Sequence, residues 1–263
     1  SLSIRWVLFS SMVKGKSKAF NLLLSEDVLA AINAVRKLGA KVKFGKNYCT
    51  IIGNGLDGYK YKKNIIINSE NSGTLGRLIM GLLIDTPYKI KIIGDKSLSR
   101  RDFKRVSEPL KKFGAKIKLT NKGLPLTIKG IKNSQPISYL ETKGSAQCKS
   151  SIIFAGLKTS GKTIIKAKKS RNHTELLCKY LGLPLKVKNK KNYDLIEVKK
   201  AKKINSLNYK IPSDISSGAF FIVLTALLND SKILIRNVNI NPTRVGSITI
   251  LKKMGVNIQF KNK

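Results

Sequence analysis

Four stretches of this chain repeat one local design, an amphipathic helix that stops on glycine and turns directly into an extended run. They read A-V-R-K-L-G-A-K-V at 34–42, P-L-K-K-F-G-A-K-I at 109–117, L-C-K-Y-L-G-L-P-L at 177–185 and I-L-K-K-M-G-V-N-I at 250–258. Their glycines, Gly39, Gly114, Gly182 and Gly255, lie 75, 68 and 73 residues apart. Each stands where a left-handed residue closes a helix, after lysines or arginines that suit the negative helix end. A period of this length means that successive units must bury their apolar faces against one another.

A second series alternates with the first. Short Ser/Gly-rich stretches open apolar helices near Ser3, Gly73, Ser145 and Ser216, and β-rich runs follow at Tyr88–Ile93, Thr163–Ala167 and Lys232–Val238. The helices containing Ile152–Leu157 and Ala219–Leu228 are apolar nearly all round and are expected at the centre. The glycine-closed helices are amphipathic and are expected at the periphery. The pattern predicts an α/β repeat protein with buried helices.

Composition removes several classes. The chain has 263 residues, 42% of them hydrophobic, so it is no disordered tail. Its longest apolar stretch, Gly218–Leu228, falls far short of the roughly 20 residues that span a bilayer. Ile4–Val13 is interrupted by Arg5 and is not read as a signal-peptide core. Cys49, Cys148 and Cys178 are odd in number and lack metal-ligand spacing, which suits a reducing cytosol. The net charge is +38, which invites a polyanion reading. Only 9 of the 52 cations are arginine, however, and the lysines are spread along the whole chain. Arginine gives planar, bidentate recognition, whereas lysine is a solvated point charge. The bias is therefore read mainly as surface decoration, with non-specific polyanion binding as its by-product.

Helix N-termini carry unpaired N–H groups and partial positive charge, so they attract anions. In this arginine-poor chain Arg5, Arg77, Arg101 and Arg171 lie in or beside the Ser/Gly-rich motifs. Any one of these is also what ordinary capping and a surface ion pair would produce. Together they point to phosphate or carboxylate ligands.

Six motifs stand in order along the chain: S-L-S-I-R at 1–5, N-S-G-T-L-G-R at 71–77, G-D-K-S-L-S-R-R at 94–101, S-A-Q-C-K-S at 145–150, S-R-N-H-T-E at 170–175 and N-P-T-R-V-G at 241–246. In them the sequence resembles the EPSP synthase family, the 3-phosphoshikimate 1-carboxyvinyltransferases of the shikimate pathway and aromatic amino-acid biosynthesis. The resemblance covers essentially the whole chain. It implies a transferase that moves the enolpyruvyl group of phosphoenolpyruvate to the 5-hydroxyl of shikimate 3-phosphate and releases phosphate. It also implies a two-lobed α/β (α+β) fold of βαβαββ repeats with only one lobe nearly complete here, residues 1–211 forming that lobe and 212–263 the first part of the second.

Carried over position by position, the resemblance assigns Ser1, Arg5, Ser145, Ala146, Gln147, Ser170 and Arg171 to shikimate 3-phosphate. It assigns Gly73, Arg101 and Gln147 to phosphoenolpyruvate. No metal and no organic cofactor is implied, nor any membrane or specific nucleic-acid partner, and the complete protein is expected to be a cytoplasmic monomer. Lys96 lies in a segment that mimics the first motif and is not taken as the catalytic lysine. The only histidine, His173, is given a structural role.

Departures from the family pattern set further expectations. The family's catalytic lysine immediately precedes the position of Ser1, and the Asp and Glu tied to proton transfer lie beyond Lys263. The catalytic residues are therefore unknown, and the chain is expected to be a fragment with little activity of its own. Asp214 is not promoted to fill their place. Ile4 replaces a histidine, and Asp102 stands where proline usually follows Arg101. Gly73 suggests sensitivity to glyphosate. The alternative is a basic α/β repeat protein that binds nucleic acid or another polyanion, in which the ordered Ser/Gly/Arg motifs have no part.

Overall fold

A computed structural model describes residues 2–261. All four helix-closing glycines hold positive φ, +97° at Gly39, +106° at Gly114, +61° at Gly182 and +91° at Gly255. A side chain there would be strained, so glycine is the residue that lets each helix end and reverse.

The elements follow a repeat. The first set is α1 (Leu2–Ser11), β1 (Lys14–Phe20), α2 (Glu26–Lys37), β2 (Lys41–Gly45) and β3 (Tyr48–Asn54). The second is β4 (Ile66–Asn68), α3 (Gly73–Leu82), β5 (Ile90–Ile93), the short α4 (Lys96–Ser99), α5 (Lys104–Lys112), β6 (Lys116–Thr120) and β7 (Gly123–Lys129). The third is β8 (Ser138–Glu141), α6 (Ala146–Lys158), β9 (Lys162–Lys168), α7 (His173–Tyr180), β10 (Leu185–Asn189) and β11 (Tyr193–Lys199), after which comes β12 (Tyr209–Lys210). Two helices remain, α8 (Ile215–Leu227) and α9 (Gly246–Lys253).

Each set builds a four-stranded sheet of one design: β4-β5-β7-β6, β8-β9-β11-β10 and β12-β1-β3-β2. In every sheet the first pair is parallel and the others antiparallel. The first set has no preceding strand of its own among the described residues. Its place is taken by β12, which pairs Tyr209 with Ala19 and Lys210 with Phe20. Three bonds hold the approach: Trp6 Nε1 donates to the Leu207 carbonyl at 2.9 Å, Leu207 N donates to Ser17 Oγ at 3.0 Å, and Lys18 N donates to Asn208 Oδ1 at 2.9 Å.

The chain divides into two compact units, one ending at Lys210 and the other beginning at Ile211. In the first, α1, α3 and α6 are the buried helices. Every residue of α1 from Ser3 to Ser11 is buried, as is every residue of α6 from Cys148 to Lys158. This is why these helices have no polar face. Phe9 of α1 meets Phe154 of α6 with ring centroids 4.8 Å apart. A side chain on Gly81 of α3 would fall inside contact distance of the Ser151 carbonyl on α6, so this crossing requires glycine. At the far end Lys158 pairs with Asp85 at 2.5 Å and donates to the Leu82 carbonyl at 3.0 Å.

The second unit, taken by itself, corrects three expectations. The apolar helix α8 is not central, since Phe220 is 80% and Leu227 77% exposed. Residues 232–238 form no strand, only a single bridge between Ser213 and Val238, and 256–258 are also non-regular. Extended runs become strands only where neighbouring strands accept their hydrogen bonds, and none lies alongside them among the described residues. Within this unit Asp214 caps α8 and accepts Arg244 NH2 at 2.8 Å, which ties the N-P-T-R motif to the helix start.

Gly81→Ala is predicted to lower stability by about 1–3 kcal/mol, because overpacking at the crossing outweighs alanine's helix propensity. Gly246→Ala, which meets nothing within 4 Å, is predicted to be nearly neutral. Urea denaturation of both variants checks the contrast.

Candidate functional site

Five of the six motifs lie in the first unit, and hydrogen bonds join them. Asp95 opens α4 by accepting Leu98 N at 2.6 Å, and its other oxygen accepts Asn71 Nδ2 at 2.6 Å. These bonds hold its carboxyl below the usual carboxylate range, the Asn71 bond contributing most. They also lock the N-S-G-T-L-G-R loop to G-D-K-S-L-S-R-R. Gly73 then sits against two guanidiniums: a methyl group on it would lie 3.0 Å from an Arg77 nitrogen and 3.2 Å from an Arg101 nitrogen.

From the third repeat, Gln147 reaches the same place. Its Oε1 accepts Arg77 NH1 at 2.7 Å and its Nε2 donates to Thr74 Oγ1 at 3.2 Å. Ser145 caps α6 by accepting Cys148 N at 3.2 Å, which leaves its own O–H free to donate. Cys148 Sγ donates to the Arg105 carbonyl at 3.1 Å. Arg105 and Arg101 repel Arg77, and burial adds to this, the largest effect, so the Arg77 guanidinium is pushed down to about 10 and still carries its charge at neutral pH. The positive field of these guanidiniums favours an anion near Gly73, where Arg101 is the exposed one.

Arg5 forms a second junction. It is 3% exposed, and its Nε donates to Thr174 Oγ1 at 2.8 Å and its NH2 to Ser150 Oγ at 3.2 Å. Ser150 and Thr174 are themselves hydrogen-bonded at 2.7 Å. Beside them Lys149 and Glu175 form a buried ion pair at 2.6 Å. The S-L-S-I-R, S-A-Q-C-K-S and S-R-N-H-T-E motifs thus meet at one point.

The expected site residues fall as follows. Arg5, Gly73, Ser145, Ala146 and Gln147 lie at these joined helix starts, and Arg101 follows the end of α4 with a guanidinium nitrogen near Gly73. Ser170 belongs to the loop before α7, which runs beside the α6 start: a side chain on Gly144 would lie 3.4 Å from the Lys169 carbonyl. Ser170 Oγ is buried with no hydrogen-bond partner among the described residues. Arg171 is exposed in that loop, His173 is buried at the first position of α7, and Lys96 is exposed on α4. Ser1 lies outside the described residues. Among those residues no group of three or more His, Cys, Asp or Glu is placed to hold a metal ion.

Sequence reasoning gave no role to Thr74, Lys149, Ser150, Thr174 and Glu175, although all lie inside quoted motifs. A lysine one turn before the apolar run of α6 and one of only 14 acidic residues in a second motif were the available signal. Buried opposite charges occur as pairs.

Lys149→Ala is predicted to destabilise by about 3–5 kcal/mol, because it strands a buried Glu175 carboxylate, whereas Lys149→Met with Glu175→Leu recovers most of the loss. Chemical denaturation of the single and double variants distinguishes the two. The cysteines supply a pH prediction. Burial pushes the Cys49 thiol up to about 11 and Cys148 to about 12, and raises Cys178 as well. Native labelling at pH 8 is predicted to meet from about a hundredfold less thiolate at Cys49 to about a thousandfold less at Cys148 than a free cysteine offers. Folded values above the unfolded ones give a stability that is full below about pH 9 and falls as pH rises through about 11, which alkaline melting curves check.

The sequence model for the family described as EPSP synthase (3-phosphoshikimate 1-carboxyvinyltransferase) matches residues 1–263. A 3-phosphoshikimate 1-carboxyvinyltransferase of Caldicellulosiruptor saccharolyticus is 40% identical over 268 residues, covering 100% of this chain and 60% of the relative. One from Streptococcus mutans is 38% identical over 266 residues, covering 100% and 61%. The solved EPSP synthase of Acinetobacter baumannii superposes with a TM-score of 0.84 at 35% identity, over 97% of this chain and 57% of that one. The chain spans about 60% of the length of the curated relatives it matches. With its repeat architecture, ordered motifs and joined helix starts, this chain belongs to the EPSP synthase family.

Proposed function

We propose that the protein transfers the enolpyruvyl group of phosphoenolpyruvate to the 5-hydroxyl of shikimate 3-phosphate, and that this chain carries the shikimate 3-phosphate site and part of the donor site. The observation that carries the reading is the meeting of four motif-bearing helices through Arg5, Ser150 and Thr174 on one side and Gln147, Arg77 and Thr74 on the other. Both substrates are small polyanions, and guanidiniums, helix N–H groups and unpaired hydroxyls are what polyanions require.

In this reading Ser1, Arg5, Ser145, Ala146, Gln147, Ser170 and Arg171 hold shikimate 3-phosphate. Gly73, Arg101 and Gln147 hold phosphoenolpyruvate, Gly73 by close backbone approach. Residues 1–211 form the first lobe and 212–263 open the second. The protein works as a cytoplasmic monomer, and no helix among the described residues is long and apolar enough to cross a membrane. The alternative of a polyanion-binding module finds no support in the family or the fold.

Ser170 gives the cleanest test, since its hydroxyl has no partner within the described protein and its removal breaks no hydrogen bond there. In calorimetric titration of the whole chain, Ser170→Ala is predicted to weaken shikimate 3-phosphate about 10-fold or more, the effect of one hydrogen bond to a charged group. Heparin binding should be unchanged. Equal affinity for shikimate 3-phosphate in both proteins would contradict the assignment.

A further inference from the structure

Arg77 shares a motif with the anion-binding glycine and is 2% exposed. Its NH1 donates to Gln147 Oε1 at 2.7 Å, its NH2 to the Asp102 carbonyl at 3.1 Å, and its plane stacks 4.8 Å from the Phe103 ring centre. Its Nε is buried with no hydrogen-bond partner among the described residues. Arg101, in contrast, is exposed. An arginine enclosed on every side by its own protein is poorly placed to receive a ligand.

It is well placed to orient one. A guanidinium has only donors, so whatever faces Arg77 must be an acceptor. That fixes the Gln147 amide with its oxygen toward Arg77 and its nitrogen away. One of the two Nε2 hydrogens goes to Thr74 Oγ1 at 3.2 Å, and the other has no acceptor among the described residues. We infer that Arg77 and Thr74 are positioning residues that lock the Gln147 amide as a pure hydrogen-bond donor toward the substrates. The inference rests on the proposed role of Gln147 in holding both ligands and adds which atom of it does so. Ligand atoms at this spot must then be acceptors, such as phosphate, carboxylate or ether oxygens. A glutamate at 147 would turn an acceptor toward them.

The test is calorimetric titration of the whole chain with shikimate 3-phosphate over a range of salt, with circular dichroism confirming the fold of each variant. Gln147→Ala, Thr74→Val and Arg77→Lys are each expected to weaken binding at least fivefold, while Thr74→Ser retains it. In a Gln147→Ala background neither Thr74→Val nor Arg77→Lys should weaken it further, and the salt dependence should stay as in the parent. If Arg77→Lys does not fold, the Thr74 series alone decides the matter. An undiminished loss from Arg77→Lys in the Gln147→Ala background, with a shallower salt dependence, would mean that Arg77 contacts the ligand and would overturn the inference. A loss from Gln147→Ala with none from Thr74→Val would overturn it too. No loss from Gln147→Ala would instead remove the role of Gln147 itself, on which the inference rests.

Discussion

The guanidinium of Arg5 holds together elements that the chain supplies from far apart. It lies on the first buried helix and bonds Ser150 on the last and Thr174 on a third, peripheral one. A buried cation is tolerated only when its donors are met, so these three elements are constrained to one geometry. The Lys149–Glu175 pair beside it imposes the same demand with two charges. These bonds set where the Ser145 cap, the Gln147 amide and the Ser170 loop lie. In the proposed reading, the affinity of the site for anions follows from how the repeats are joined.

Close packing at the other end of the helices makes this junction rigid. Gly81 lets α3 press on the α6 backbone, and Lys158 closes the far end against Asp85 and Leu82. Because α1, α3 and α6 are buried along their length, their polar groups need partners within the protein. The end of α6 carries the Lys158–Asp85 pair, and its start carries the Lys149–Glu175 pair beside Arg5. The net charge of +38 supplies a background field for small anions, and the lysines that produce it are mostly exposed, with Lys149 and Lys158 the buried ones among the described residues.

Much of this was legible in the residues. The four closing glycines, the uniformly apolar helix around Ile152–Leu157 and the ordered motifs led directly to the repeat and to the helix starts. The partnership of β12 with β1 was not legible, because two residues, Tyr209 and Lys210, pair with a strand some 190 positions earlier and carry no periodic signal of their own. The Lys149–Glu175 pair was hidden for a related reason: each charge reads locally as surface, and only tertiary structure shows that both are buried. Lys232–Val238 misled in the other direction. Its β propensity is real, but a strand exists only with partners, and α8 is likewise apolar without being enclosed.

In the proposed reading the starts of α1, α3 and α6 form one anion site. The most direct measurement is an NMR titration of the isotope-labelled chain with shikimate 3-phosphate, following the Arg5 Nε–H, the Gln147 side-chain amide and the backbone amides of residues 73–75 and 145–148. These signals are expected to shift together with a single saturation curve. Shifts scattered over the lysine-rich strands, with the Gln147 amide and the Arg5 Nε–H unmoved, would contradict it.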